Sequence, residues 1–575
     1  MNRRTNPLWL VAVLPYAIVS PAHLGAAPAP NFSWETTPAG RSATLAVPAT
    51  GKTGFHRMPS SETGITFANR ITRERYTTNQ IYLNGSGVTA GDVDGDGWCD
   101  LFFAGLSGTS RLYHNEGNWK FTDVTSSAGV ACAGLDVTGA ALVDVDGDND
   151  LDLLVNTVGS GTHLFLNDGK GHFSHQPVLN PRRCGASLAL ADLDGDGALD
   201  LYVANYRLET IRDEPDSRFR INQTGGRVVV LEYNGRPTTD PDLVGRFTTD
   251  SKGKIVENGE PDAIFHNDGQ GRFSALSFTN GNFLDEAGRP LREPPYDWGL
   301  SVMLRDFNGD GAPDIYVCND FASPDRIWIN LGHGKFQALA GTAWRHTSMF
   351  SMGVDVADVN RDGWDDLLVL DMLGRDHLGR HTRTGGVPPY ESGSGRIDDR
   401  PQYAFNTLAL NRGDGTFAEV AYFAGLEGSD WSWTPIFLDV DLDGFEDLLI
   451  TTGHERDAMN ADVMEQAEVK KAQRKLSRWE LLNLNNSFQR LDAPNMAFRN
   501  RGDLTFEDVS AAWGFDAVGV SHGMCLADLD NDGDLDVVMN NLNEEAGLYR
   551  NEGVAPRLAV RLRGLPPNTA GIGAR

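Results

Sequence analysis

The chain has 575 residues, of which 79 are acidic and 50 basic, for a formal net charge of −29. That balance makes a nucleic-acid backbone a poor partner, while the length is ample for a large core. Five cysteines, Cys99, Cys132, Cys184, Cys318 and Cys525, are too few for a disulfide scaffold. Cys132 and Cys184 fall just before the first strand of neighbouring repeats and are the pair that could join, with free buried thiols the preferred reading.

Arg3 and Arg4 precede an apolar run from Leu8 to Val19, broken by Pro15 and followed by small residues from Gly25 to Pro28. This is the layout of a secretory leader and is too short to span a bilayer, so residues 1–27 are expected to direct export to the medium, periplasm or cell surface. Residues 28–62, rich in Ala, Pro, Thr and Ser, read as a linker. Order is expected to begin at Gly64-Ile-Thr-Phe67.

From there to residue 555 one acidic pattern, D-x-[DN]-x-D-[GN]-x-x-D, occurs seven times. Its oxygen-bearing side chains at positions 1, 3, 5 and 9 are Asp92, Asp94, Asp96 and Asp100; Asp144, Asp146, Asp148 and Asp152; Asp192, Asp194, Asp196 and Asp200; Asp306, Asn308, Asp310 and Asp314; Asp358, Asn360, Asp362 and Asp366; Asp439, Asp441, Asp443 and Asp447; and Asp528, Asp530, Asp532 and Asp536. Four such groups, with a main-chain carbonyl at position 7, form the hard-oxygen shell that Ca2+ prefers, and Gly or Asn149 at position 6 allows the tight turn. A solvated acidic turn is the plainer explanation of one copy. Seven copies that vary position 3 only to Asn, keeping the oxygen, favour about seven Ca2+ sites. An EF-hand is excluded, because no Glu stands at position 12 and the flanks are strand-like. Seven divalent ions would bring the formal charge from −29 to about −15.

Each loop lies between an alternating segment, such as Ser187–Asp192, and an apolar one, such as Leu201–Val203. A third segment runs into a Gly turn through Asn115, Asn167, Asn267, Asn330, Asn411, Asn500 or Asn551, and a fourth opens on a Phe, as at Phe121 or Phe506. Four short antiparallel strands repeated seven times predict an all-β, seven-bladed β-propeller with four-stranded blades. The seventh unit lacks its fourth strand, and Gly64–Phe67 is expected to complete it, closing the ring.

These repeats resemble the FG-GAP/VCBS family, whose blades carry calcium loops in integrin-α-like propellers. The stretch Leu558–Gly564 with Asn568 and Gly571–Ala574 resembles the opening of the ASPIC/UnbV domain that follows such propellers in the cartilage-acidic-protein-like group of secreted bacterial proteins. By that resemblance residues 556–575 are the first strand of a further domain, truncated at Arg575, and the chain is read as a fragment of a longer protein.

Three connections, 206–262, 372–404 and 453–494, are far longer than the rest. All join second to third strands, whereas the calcium loops join first to second, so loops and insertions are expected on opposite faces, and long loops on a rigid scaffold are where binding concentrates. The third insertion predicts a small helix capped by Asn460, with Met464, Ala467, Ala472, Leu476 and Trp479 as an apolar stripe that either lies down on the propeller as a lid or meets a partner, the lid being preferred. Trp298, Trp431 and Trp433 stand at the insertion ends of first strands. They are either a stacking platform for sugar or peptide, or ordinary packing.

Catalytic signals are weak. Gly519-Val-Ser521-His522-Gly523 fits a nucleophile motif but leads into a strand instead of a helix, and His454-Glu455 lacks the second His of a zinc helix. Two functions remain open: a secreted, monomeric, calcium-stabilised module binding extracellular protein or polysaccharide, or a polysaccharide lyase or dehydratase on the same scaffold.

Overall fold

The computed structural model describes residues 33, 35–37 and, between 40 and 574, all but 225–226, 251–252, 322 and 384–399. The expected leader, residues 1–27, lies outside them. Among the described residues, no helix is long and apolar enough to cross a membrane.

Seven sheets follow one another along the chain, numbered here 1 to 7; each has four antiparallel strands, except that sheet 4 gains a fifth, Phe283–Leu284, which pairs parallel with Phe336–Ala338. Sheet 1 comprises Val88–Gly91, Asp100–Phe103, Arg111–Asn115 and Phe121–Asp123. In every sheet the second strand starts on the ninth residue of the acidic loop: Asp100–Phe103, Asp152–Thr157, Asp200–Tyr206, Asp314–Asn319, Asp366–Val369, Asp447–Thr452 and Asp536–Asn541. These strands are buried along their whole length, which is why they read as unbroken apolar runs. Alternate side chains go to opposite neighbours: Leu101 and Phe103 pack with Val538 and Leu548 of sheet 7, and Phe102 with Leu153 and Val155 of sheet 2. Similar cores lie between each later pair of sheets. First strands of successive sheets touch, and Ser521–Ala527 of sheet 7 touches Val88–Gly91 of sheet 1. The all-β chain with its repeats fits a β-propeller.

Sheet 7 takes its fourth strand from the N-terminal side, but the expected segment is corrected. Phe55–Arg57, not Gly64–Phe67, pairs antiparallel with Gly547–Asn551. Phe55 is buried against Phe515, at a centroid distance of 5.6 Å, and its N–H donates to the Trp513 carbonyl at 2.7 Å. Ile65 and Phe67 are buried instead as a wedge in the core between sheets 7 and 1, where Phe67 stacks on Phe103 at 4.8 Å. The stretch read as linker thus supplies a strand.

All three long connections do join second to third strands. The first carries a three-stranded sheet of Phe219–Thr224, Arg227–Tyr233 and Arg236–Pro237, and a pair of Phe247–Thr249 with Ile255–Glu257. The third differs from expectation, because its helix divides. Ala461–Gln473, capped by the Asn460 side chain, ends before Arg474, and Arg478–Leu484 starts anew from a Ser477–Glu480 capping box. The first of these helices buries none of its residues, and Met464, Val469 and Trp479 stand exposed. It does not lie down as a lid, because the stripe is interrupted before Leu476 and Trp479. Leu558–Gly564 likewise forms no strand. Its Gly564 N–H donates to the Thr569 carbonyl at 2.7 Å in a turn, and Leu558 is 85% exposed.

Candidate metal centres

In sheet 1 the carboxylate of Asp92 gathers the loop around itself: Oδ1 accepts the N–H groups of Gly95 at 2.8 Å and Asp96 at 3.1 Å, and Oδ2 that of Gly97 at 3.0 Å. Asp96 Oδ1 accepts from Trp98 N at 2.9 Å. The first residue of each other loop makes at least part of this pattern, as Asp306 does with Gly309, Asp310 and Gly311. The turn needs left-handed backbone at two places. Position 6 has φ between 78° and 98° in all seven loops, Asn149 included, and position 4 is left-handed even at Arg361, Leu442 and Asn531. A Leu at φ 56° is a strained choice, so the rest of the loop dictates the turn.

The ninth residue has a second role that the pattern alone does not reveal. Asp100 is fully buried; its Oδ2 accepts from Val93 N at 3.1 Å and its Oδ1 from Asn115 N at 2.8 Å. Asp314 does the same with Phe307 and Asn330, and Asp447 with Val440 and Asn500. This carboxylate therefore ties the loop to the third strand with or without a cation. Burial, only partly offset by these hydrogen bonds, pushes Asp152, Asp314, Asp366 and Asp447 up to about 7 and Asp200 to about 6.

The donor set fits a hard divalent cation. Ligand atoms of Asp92, Asp94 and Asp96, of Asp144, Asp146 and Asp152, and of Asp192, Asp194 and Asp196 each fall within 4.8 Å of one another. Buried carboxylate oxygens of Asp146 and Asp530, both at position 3, have no hydrogen-bond partner, which leaves them lone pairs to give to an ion. Two loops also receive an imidazole, from His114 and His266. The Asp100 hydrogen bond raises His114 to about 9.

At the opposite end of the first strands, Trp298, Trp431 and Trp433 come together in one cluster, but all are buried, at 5%, 9% and 7% exposure. Trp431 lies flat on His454, 3.9 Å between centroids, and Trp433 Nε1 donates to the Gly453 carbonyl at 2.6 Å. Ala458, Met459 and Leu491 of the third insertion, with Tyr82, pack against them. Little of them is left accessible, although Trp433 still borders a cavity that Gly85, His522 and Gly523 also line. Burial pushes His454 down to about 4 and His522 to about 3, so both stand neutral in the stack. Ser521 begins a strand, as its sequence context predicts, and accepts from Asn495 Nδ2 at 3.1 Å. All five cysteines are free thiols, and Cys132, Cys184 and Cys318 are buried.

A family model described as an FG-GAP-like repeat matches residues 92–155, 144–203, 306–369 and 485–539. Cartilage acidic protein 1 of Mus musculus is 26% identical over 328 residues, covering 50% of this chain and 48% of that protein. Its Homo sapiens counterpart is 24% identical over 440 residues, covering 70% and 60%. The chain carries FG-GAP-like repeats and is similar to cartilage acidic protein 1. The chain spans between 48% and 60% of the length of the curated relatives it matches. Among solved structures, an Agrocybe aegerita lectin described as recognising non-reducing terminal N-acetylglucosamine overlays with a TM-score of 0.37 at 15% identity, covering 75% of this chain and 83% of that one. A likeness that slight carries no argument. The FG-GAP matches include six of the seven acidic loops in whole and the end of the third insertion.

Proposed function

We propose that this FG-GAP-repeat protein is an exported, closed propeller of seven blades that works as a binding module, with cation loops holding one face and the three insertions meeting an extracellular protein or polysaccharide on the other. The observation that carries this reading is the division of labour between strand connections. Acidic loops join first to second strands and every long insertion joins second to third, so the two sets leave opposite ends of antiparallel sheets. Positions 1, 3, 5 and 9 of each loop would hold Ca2+. A bound ion would neutralise three or four carboxylates that otherwise repel, stiffening the scaffold beneath the insertions.

The insertion end offers apolar surface of the kind binding uses: Met464, Val469 and Trp479 on the third insertion and Ile221 and Val229 on the first are all exposed. The test is a glycan array and a panel of purified matrix proteins probed with the Ca2+-loaded chain, beside a variant carrying Met464→Ser, Val469→Ser and Trp479→Ser. The reading expects retention by the wild type, loss in the variant and no change in the ligand. New reducing ends or unsaturated uronates would establish a polysaccharide-cleaving enzyme instead.

A further inference from the structure

One register position distinguishes the seven loops. The residue just before the repeat Asn of the third strand lies across from the ninth loop residue, since Tyr113 pairs with Leu101 and Phe265 with Leu201. It is His114 in sheet 1 and His266 in sheet 3, an aliphatic Leu166, Ile329 or Leu410 in sheets 2, 4 and 5, and Arg499 or Arg550 in sheets 6 and 7. His114 Nδ1 stands 3.0 Å from Asp100 Oδ1 and 3.4 Å from Asp94 Oδ2, with Nε2 3.8 Å from Asp96 Oδ2. His266 Nδ1 is 3.1 Å from Asp194 Oδ2 and 3.3 Å from Asp200 Oδ1, yet this buried nitrogen makes no hydrogen bond with acceptable geometry. In both sheets the imidazole and two carboxylates have ligand atoms within 4.8 Å of one another.

We propose that the loops of sheets 1 and 3 are mixed imidazole–carboxylate sites, His114 with Asp94 and Asp100 and His266 with Asp194 and Asp200, that take a divalent transition cation of the zinc and cobalt class in preference to calcium. This rests on the reading of the loops as cation sites and refines it. Calcium binds through oxygen, and its all-oxygen shell survives in sheets 2, 4 and 5, where the same position is aliphatic. A ring nitrogen adds a softer donor that zinc, cobalt and nickel prefer, and three protein ligands leave room for solvent in the remaining positions. Sheet 6 shows the alternative use of the position. Arg499 places Nε 2.6 Å from Asp441 Oδ2 and Nη2 2.9 Å from Asp443 Oδ2, a fixed cation supplied by the chain itself. An imidazolium could imitate that, so the experiment must separate a ligand from an ion pair.

The whole chain, stripped with EDTA, is dialysed against millimolar Ca2+ with micromolar Co2+, and both metals are counted while the visible d–d spectrum is recorded. The wild type should retain two Co2+, the single variants His114→Leu and His266→Leu one each, and the double variant none, with calcium in the aliphatic loops unchanged. Leu is what sheets 2 and 5 already carry there, and a melt in Ca2+ checks folding. Calcium filling the loops with no cobalt retained by the wild type overturns the proposal, as does cobalt retained by the double variant. If neither metal binds, the cation reading of the loops falls with it.

Discussion

The side-chain amide of Asn115 in sheet 1 donates at 3.0 Å to the carbonyl of Leu529 in sheet 7, 414 residues further along the chain, and at 3.1 Å to Cys99 in its own loop. Asn167, Asn267, Asn330, Asn411 and Asn500 each reach back to the preceding sheet in the same way, to Val93, Val145, Leu193, Phe307 and Val359. The repeated Asn is thus a fastener between sheets as well as a turn residue. It serves loop carbonyls that are held away from water and would otherwise be unpaired.

Asn330→Ala leaves the Leu193 and Pro313 carbonyls without that donor. We expect a loss of about 2–4 kcal/mol, and a similar loss for Asn115→Ala, read by thermal or urea melts. Melts that coincide with the wild type for both variants would remove the fastening role.

Cation removal should act on all seven sheets. If each ion stands at about ten times its dissociation constant, linkage supplies about 1.4 kcal/mol per loop, on the order of 10 kcal/mol over the set. EDTA is expected to lower the melting temperature by on the order of 10 °C. An unchanged melt with metal content confirmed as zero would count against cation binding.

Asp314 allows its two roles to be separated. Asp314→Ala removes both a candidate ligand and the acceptor for the N–H groups of Phe307 and Asn330 at 3.0 and 2.7 Å. Asp314→Asn keeps one acceptor oxygen but not the charge. Both variants should hold one cation fewer. In EDTA, Asp314→Ala should remain less stable than Asp314→Asn by about 1–3 kcal/mol, because the hydrogen bonds do not depend on metal. Equal stability in EDTA would show that the ninth residue acts through the ion alone.

What could be read from the chain depended on whether the information was local. The seven loops declare their tight turn and their set of oxygen-bearing side chains within nine residues, and the apolar second strands declare their burial. The fastening by Asn115 and Asp100 was not readable, because their partners are set by strand register and by a neighbouring sheet. Phe55-His-Arg is three residues long inside a Pro- and Thr-rich stretch, whereas Ile65 and Phe67 alternate like a strand, so pattern pointed to the wrong segment. The break at Arg474 was readable from Ser477-x-x-Glu480, but the apolar spacing across it suggested one continuous helix. The burial of the tryptophans was not readable, because it depends on packing with the third insertion.

The insertion end carries buried acids that should set a pH dependence of their own. Asp325 accepts from Tyr316 Oη at 2.6 Å, Asn319 N at 2.8 Å and Ser351 Oγ at 2.9 Å, and Asp262 from Tyr202 Oη at 2.7 Å and Asn205 N at 2.8 Å. Burial outweighs these bonds and raises each to about 7. The folded chain therefore keeps protons that the unfolded chain releases near pH 4. The stabilisation is complete below that pH and is lost as pH rises from about 4 through 7, by at most about 1.4 kcal/mol per pH unit for each group. With cations saturating, Asp325→Asn should flatten the fall in stability over this window. A slope as steep as the wild type's would assign it to other groups.

Trp431 and Trp479 separate packing from binding at the same end of the molecule. Trp431 is 9% exposed and stacked on His454, whereas Trp479 is 54% exposed at the start of the second insertion helix. Truncating a buried tryptophan typically costs about 3–5 kcal/mol, so Trp431→Ala should lower the melting temperature whatever the ligand. An exposed aromatic contributes little to the fold but much to an interface that covers it. Trp479→Ala should therefore melt within about 0.5 kcal/mol of wild type while weakening capture on the array about tenfold or more. The pair is measured together, by melt and by binding. A Trp431→Ala variant that stays fully stable yet loses its ligand would show that the buried cluster opens to bind, and would move the contact surface from the helix to the tryptophans.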